Sequence, residues 1–512
     1  MGYREISLKL PTDYNEDELR KGIGKELGIQ EFSYQIENKS LDARKKDNIH
    51  WLVRVLVLSG EVDGGVPLLS PSLEIPYRKR RERAVVVGSG PAGFFAAFIL
   101  QKAGFHTTII ERGTDVHKRA EGIREFEKTG VFNPVSNYAF GEGGAGTFSD
   151  GKLTSRSRHI SKERQFILAS YISAGAPEEI GYMAHPHLGS DNLRKIVRNL
   201  RDAFSDTGGS VLFETMLEDL KIKDGKVIEA ITTSGGIEAD YFIIAPGHSA
   251  YETYRMLIRR GVQFRTKSFA IGSRVEHPQE IINKAQWGRE RLPGVKAAEY
   301  RLTSPGDGNL PVYTFCMCPG GTVVPAAAYQ DTNIVNGMSL YMRDGKFANA
   351  ACVAGVHPDK LIGREAMPEE ALDWLETLEQ SFYQYSAGFK APCCSIQNFI
   401  NRKEPTEIIE SSYPLELKPA ALWNLLPAEV SSSIREGLKD FSRKIKGFET
   451  GSIMGLESKT SSPIQVLREK DNRCAGFENL YIAGEGSGCA GGIISSGADG
   501  IKAAMNIIEN NA

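Results

Sequence analysis

"AVVVGSGPAGFFAAFILQKAGFHTTIIERG", residues 84–113, sets four apolar residues ahead of Gly88-Ser-Gly90-Pro91-Ala92-Gly93, follows them with a helical stretch and ends a second apolar run at Glu111-Arg112. This is strand, glycine turn, helix, strand. In such a unit Gly88 makes the tight turn, Gly90 admits a pyrophosphate to the backbone, and Gly93 lets the helix sit against the strand. Free N–H groups at the helix N-terminus favour the phosphate charge. Glu111, closing the second strand, is placed to accept hydrogen bonds from ribose hydroxyls. The spacing predicts an α/β, Rossmann-like dinucleotide-binding unit.

The rest of the chain is compatible with a large enzyme. Its 512 residues suffice for roughly three domains. With 41% hydrophobic residues, 25% charged residues and a net charge of −2, the composition gives no electrostatic argument for nucleic-acid partners or for an anionic membrane surface. The longest apolar candidate, 84–100, is interrupted by the glycine turn, so no membrane span is expected. Seven cysteines, without a recognisable secretory signal, read as free thiols in a reducing cytoplasm. The 53 glycines cluster at 141–151 and 484–500, where backbone is expected to approach a ligand closely.

Residues 1–77 read as a small N-terminal α+β module. It has a strand at EISLKL, a helix opening at Asn15 and running towards Gly28, and two further strands separated by the polar NKSLDARKKDN. The basic YRKRRER (77–83) reads as a solvated linker. A first part of the nucleotide-binding domain is expected over 84–255, a mixed α+β substrate or cap domain over 256–454, and the remainder of the nucleotide-binding domain over 455–512. Helices are expected to begin at Pro368 and Pro427 as first-turn prolines, the second burying Val430, Ile434, Leu438 and Phe441.

Three separated motifs carry a resemblance: Gly88–Gly93 with Glu111-Arg112, the strand ending IIAPGH (243–248), and the terminal LYIAGEG (480–486). Together they resemble FAD-binding flavoproteins of the glutathione-reductase type. GEGGAGTFSDGKL, FCMCPGGTVV, SLDARKK and LESKTSSPIQVLR further resemble the little-characterised bacterial FAD-dependent dehydrogenases, the NAD(FAD)-utilising dehydrogenase family. The sequence departs from the motifs at Ala245-Pro246-Gly247, where Ala-Thr-Gly is usual, and at Glu485, where Asp is usual.

The resemblance implies FAD as cofactor. Gly88, Gly90, Pro91, Ala92, Gly93, Glu111 and Arg112 would hold its ADP end, and Gly247 the middle motif. Gly484 and Glu485 would meet the ribityl chain, with Gly491, Gly492 and Ile493 against the flavin. Gly143, Gly144, Ala145, Gly146 and Thr147 would lie along the flavin N5 edge. Residues 141–152, 316–327 and 489–493 would enclose the reaction cavity. Lys152, with Asp150, is a charged candidate there, or an exposed surface lysine. His187, in HPHLGSD, is a candidate general acid or part of a structural turn, with Ser190 or Asp191 capping the next helix. His248 reads as a packing residue.

Cys316 and Cys318 lie at i and i+2 of a strand, pointing the same way, and read as buried packing thiols rather than a redox pair or metal set. No metal site is expected. One strand-GxGxxG-helix unit is present, and a second is not evident, so NAD(P)H as reductant would bind transiently over the flavin. The expected activity is hydride transfer between flavin N5 and a small organic substrate. The alternatives are a flavin-dependent monooxygenase and an FAD-containing binding or RNA-modification scaffold.

Overall fold

Ala84, Val85, Val86 and Val87 are consecutive and all buried, a pattern that only a strand covered on both faces can satisfy. In the computed structural model, which describes residues 2–65, 72–407 and 409–511, Arg83–Val87 is the middle strand of a five-stranded sheet. The strands run in the order Leu480–Ile482, Tyr241–Ile244, Arg83–Val87, His106–Ile110, Ser210–Leu212. Every pairing is parallel. Its two edges thus come from the end of the chain and from the region after the second strand.

Helix Pro91–Lys102 crosses between the first two strands and buries residues on all sides, among them Phe95, Ala96, Ile99 and Leu100. One side meets the sheet. Another meets the C-terminal helix Ile493–Asn510, where a Cβ at Gly500 would lie 2.0 Å from the Ala92 carbonyl oxygen. Only a residue without a side chain permits that approach.

The middle of the chain builds a seven-stranded mixed sheet in the order Thr303–Ser304, Val312–Cys318, Phe347–Val356, Phe269–Pro278, Ser452–Glu457, Ala391–Ser395, Leu417–Pro419. Helix Ala428–Lys444 covers it with Val430, Ile434, Leu438 and Phe441, all fully buried. Pro427 is the N-cap there rather than the first helical residue, whereas Pro368 does open helix Pro368–Ser386. Strand Ser452–Glu457 belongs to this sheet, so a boundary between 454 and 455 falls inside a strand. Hydrophobic periodicity alone cannot say which of two sheets a buried strand joins.

Residues Gly2–Leu10, Ser33–Asp42 and His50–Ser59 form a separate antiparallel sheet. It is packed by helix Glu16–Leu27, which opens on an Asn15–Glu18 capping box and ends at left-handed Gly28. Two expectations need correction. The second strand continues through Asn38–Asp42 despite its polarity, because the third strand supplies its ladder and Lys39 also exchanges backbone hydrogen bonds with Tyr182 and Ala184. The basic run 77–83 is not wholly solvated: Arg80 is buried, donates to Ala103 O and Asn511 O, and stacks on Phe105. Residues 66–71 of the N-terminal module lie outside the described residues. Among the described residues no helix is long and apolar enough to cross a membrane.

Candidate active site

The C-terminal ends of the parallel strands open into one cavity of about 1,530 Å³. Ligand sites for a drug-sized molecule run to about 1,000 Å³, so this space accommodates a dinucleotide with room for a second ligand. Gly88, Gly90, Pro91, Glu111 and Arg112 line one end, joined by Ala245–Ala250 of the middle motif. Gly144–Gly146, Gly484, Glu485 and Cys489–Ile493 line another stretch. A third wall comes from strand Val312–Cys318 of the seven-stranded sheet, with Pro311 before it and Glu299–Arg301 ahead of the edge strand, faced by Lys152, Thr154–Ser157 and His185.

The glycine turn tests whether a nucleotide suits this cleft. A Cβ at Gly88, where φ is +95°, would meet Ala245 O at 2.3 Å, and one at Gly93 would meet Gly88 O at 1.9 Å. Both are demanded by the protein's own packing. At Gly90 the nearest atom to a Cβ would be Gly144 Cα at 3.6 Å, an ordinary contact, and the backbone is not left-handed. The protein itself has no need of glycine there; a ligand occupying the space above the helix N-terminus supplies one.

Glu111 behaves differently from its sequence reading. Its Oε2 accepts from Ser89 N at 3.0 Å and Ser89 Oγ at 2.7 Å, and its Oε1 from Gly113 N at 2.9 Å and Gly141 N at 3.1 Å. These four donors fill the lone-pair positions of a carboxylate. Glu111 therefore ties the glycine turn to the 141–144 loop, and a ribose hydroxyl would have to share it. Arg119 completes that loop from beneath: fully buried, it donates to the carbonyls of Asn137, Tyr138, Glu142 and Gly144 at 2.8–2.9 Å. Neither Arg119 nor Ser89 stands out in the sequence, because a single arginine on an amphipathic helix and a serine in a glycine turn are ordinary. Arg112 pairs with Glu252 and lies 3.9 Å from the Phe140 ring centroid.

The middle and terminal motifs meet. His248 Nδ1 is 2.9 Å from Glu485 Oε2, and Glu485 Oε1 accepts from Gly492 N at 2.6 Å. Burial would raise the Glu485 carboxyl, but the hydrogen bonds from His248 and Gly492 outweigh it and hold the group below its usual value. His248 thus orients the carboxylate at the turn preceding helix Ile493–Asn510, a role beyond packing.

Other candidates move. Asp150 is fully buried, away from the cavity, and pairs with Arg343 at 2.5 Å and with Ser339. His187 does not line the cavity: its Nε2 is engaged by Tyr341 O at 3.0 Å, and burial, then the Arg343 charge, press it down to about 4. His185, two residues earlier, reaches the cavity instead. Neither Ser190 nor Asp191 caps the following helix, which begins at Gly189; Asp191 accepts from Tyr341 N. Lys152 lines the cavity, donates to Met317 O and lies 3.6 Å from Glu299. Within 316–327 the cavity is reached by Cys316, Met317, Val324 and Ala326, while Gly320 and Gly321 pack on the backbones of Arg343 and Met338.

The cysteine pair also departs from a regular strand. Phe315 pairs with Ala351 and Cys318 with Asn349, which leaves one extra residue in the Val312–Cys318 strand. Cys316 sits in this bulge with φ +45°. It is half-buried and faces the cavity, whereas Cys318 is fully buried. Packing describes Cys318 but not Cys316.

Comparison with known proteins agrees with the cleft. Residues 81–250 match a family described as an FAD binding domain, residues 268–460 one described as FAD-dependent protein, C-terminal domain-like, and residues 3–58 a domain of unknown function. An uncharacterized protein of Clostridium beijerinckii is 38% identical over 98% of both chains. Among solved structures, glycine oxidase from Bacillus cereus is 12% identical, covering 84% of this chain and 96% of its own, with a TM-score of 0.33. A geranylgeranyl bacteriochlorophyll reductase-like protein from Thermoplasma acidophilum is 14% identical over 84% of this chain and 79% of its own, with a TM-score of 0.37. At these scores the likeness decides nothing about chemistry.

Proposed function

We propose that this FAD-dependent oxidoreductase, which belongs to the same family as the Clostridium beijerinckii protein, is a dehydrogenase or reductase acting on a small organic substrate. Bound FAD would supply a two-electron carrier, exchanging hydride at N5. The observation that carries this reading is the continuity of the cavity from the Gly88–Gly93 turn, past Gly484–Ile493, to the wall Glu299–Met317. The turn and the N-terminus of helix Pro91–Lys102 would hold the pyrophosphate, and Arg119 and Glu111 would keep the adjoining loop in shape. Residues Gly144–Gly146 and Gly491–Ile493 would lie along the flavin. The N-terminus of helix Ile493–Asn510 would favour negative charge on the reduced ring.

The third wall would seat the substrate. Tyr300, Tyr313 and Phe315 offer aromatic surface beside Lys152, Arg301 and His185. We assign the FAD domain to the five-stranded sheet, interrupted by a substrate domain that ends after Glu457, with the N-terminal module resting on Tyr182–Ala184 next to the cavity wall. The absence of an evident second dinucleotide fingerprint in the sequence makes a transiently bound NAD(P)H the form of nicotinamide use this fold would allow, and supports the NAD(FAD)-utilising reading only in that form.

The purified protein should be yellow and release FAD, not FMN, on denaturation. Anaerobic mixing with NADH, NADPH and a panel of amino and hydroxy acids, followed at the flavin absorbance, identifies the donor. Flavin bleached by dithionite but by no organic donor, and reoxidised by no organic acceptor, would overturn the dehydrogenase or reductase assignment.

A further inference from the structure

The bulge at Cys316 is held from two sides. Arg274 is fully buried, and its Nη2 donates to Cys316 O at 2.7 Å and reaches Cys318 Sγ at 3.5 Å. Lys152 takes the next carbonyl, Met317 O. Two cations thus fix two consecutive carbonyls of one bulge. Arg274 is itself locked by Glu457 at 2.7 Å, Asn349 at 2.7 Å and Asn336 at 3.2 Å. A non-glycine residue in the left-handed region is uncommon, and strain of this kind persists where the surroundings over-determine it.

The bulge changes what the two sulfurs can do. In a regular strand, residues i and i+2 lie about 6.6 Å apart with parallel side chains, near the upper limit for a disulfide. The left-handed turn at Cys316 folds the chain back, so that the Cys318 thiol donates to Cys316 O at 3.3 Å. Four other thiols, Cys352, Cys393, Cys394 and Cys474, are pushed up by burial. Cys316 goes the other way: the neighbouring Cys318 thiol, aided by the charges of Arg274 and Lys152, overcomes burial and lowers it. Thiolate character and access are what make a cysteine reactive. Here both belong to the thiol that faces the cavity.

We propose that Cys316 and Cys318 form a reversible dithiol–disulfide couple in the wall of the FAD cavity, with Cys316 reacting from the cavity side and Cys318 as its buried partner. On closing, one S–S bond forms between the two Sγ atoms and two S–H bonds are lost. The two electrons and two protons pass to oxidised flavin bound in the same cavity. With glutathione disulfide as the oxidant instead, the same closure yields two glutathione thiols. Cys316 would also be the sulfur that exchanges with a small disulfide entering the cavity, so the substrate class this couple adds is a low-molecular-weight disulfide or dithiol. The electron transfer to flavin rests on the proposed function; the disulfide itself does not.

Two measurements test the pair separately from the cofactor reading. Full-length protein, with FAD and after FAD removal, is equilibrated in glutathione redox buffers, acid-quenched, alkylated and weighed. Wild type should pass from seven alkyl groups, one for each cysteine, to two fewer as the buffer becomes oxidising, with the loss mapped to the peptide containing Cys316 and Cys318. Cys316→Ser and Cys318→Ser should show no such step. Anaerobic titration of oxidised holoprotein should take up about four electrons per flavin in wild type and about two in Cys316→Ser, because the couple stores two. Seven alkyl groups at every buffer composition would overturn the couple while leaving a flavin-bearing enzyme intact. The mass step without the two extra electrons would overturn the transfer to flavin.

Discussion

His248 Nδ1 stands 2.9 Å from Glu485 Oε2 although 237 residues separate them, so the turn after strand Tyr241–Ile244 is pinned to the turn after strand Leu480–Ile482. These strands are neighbours in the five-stranded sheet. The hydrogen bond holds the mouth of the cavity at one place, and the Gly492 N–H joins it from the start of the last helix.

Replacing Glu485 by Ala leaves His248 and Gly492 N–H without their acceptor. Orphaned polar groups of this kind cost about 1–3 kcal/mol, so FAD affinity, read as retention after gel filtration, should fall about 5- to 150-fold. Glu485→Gln, which keeps an acceptor for Gly492, should fall between the two. Wild-type retention in Glu485→Ala would show that the pair is ornamental to the cofactor cleft.

Gly90→Ala and Gly93→Ala should separate binding from folding. At Gly90 the new methyl meets only an ordinary contact, so the FAD-free protein should melt within about 0.5 kcal/mol of wild type yet retain less FAD. At Gly93 the methyl would lie 1.9 Å from Gly88 O. Overpacking there should cost about 1–3 kcal/mol or more and lower the melting temperature with or without FAD. Equal effects of both variants on the FAD-free protein would contradict the geometry.

Arg274 and Glu457 form a fully buried pair at 2.7 Å. Arg274→Met strands the Glu457 carboxylate and should destabilise by about 3–5 kcal/mol, read by urea denaturation. Arg274→Met with Glu457→Leu removes both charges and should recover much of that loss. A double variant as unstable as the single would place the cost in packing or in the Cys316 bulge rather than in the unpaired charge.

Stability should fall on acidification because of two histidines. Burial presses His277 and His187 down to about 4 from the usual 6.5. Below about pH 6.5 the unfolded chain binds protons that the folded one refuses, so the loss grows as pH falls towards about 4 and levels off beneath it. Above about pH 7 neither group adds a slope. Fully developed, His277 contributes roughly 3 kcal/mol of this loss. Urea midpoints between about pH 7.5 and 4.5 should drop less steeply in His277→Gln than in wild type.

The nucleotide cleft was legible because glycine spacing, apolar runs and a terminal acid are local features, which specify the unit of strand Arg83–Val87, helix Pro91–Lys102 and strand His106–Ile110. What periodicity could not show was which distant side chains complete a polar network. Glu111 reads only as a ribose acceptor in the sequence, and its bonds to Ser89, Gly113 and Gly141 appear only in the fold. His187 and His185 are equivalent in sequence, and only the packing of Tyr341 turns one away. Cys316 hid for another reason: strand alternation assumes regular backbone, and one extra residue opposite Ala351 and Asn349 overturns it.

Helix Pro91–Lys102 buries almost its whole circumference, partly against Ile493–Asn510. Its partner is synthesised close to 400 residues later, which at about 5–20 residues per second is a delay of roughly 20–80 seconds on the ribosome. During that interval Phe95, Ala96 and Ile99 have no final neighbour on the C-terminal side, and the sheet lacks its Leu480–Ile482 edge. The cleft at the Gly88–Gly93 turn therefore gains its Gly484–Ile493 wall only after those residues have been made, and the yield of folded protein should respond to chaperone supply.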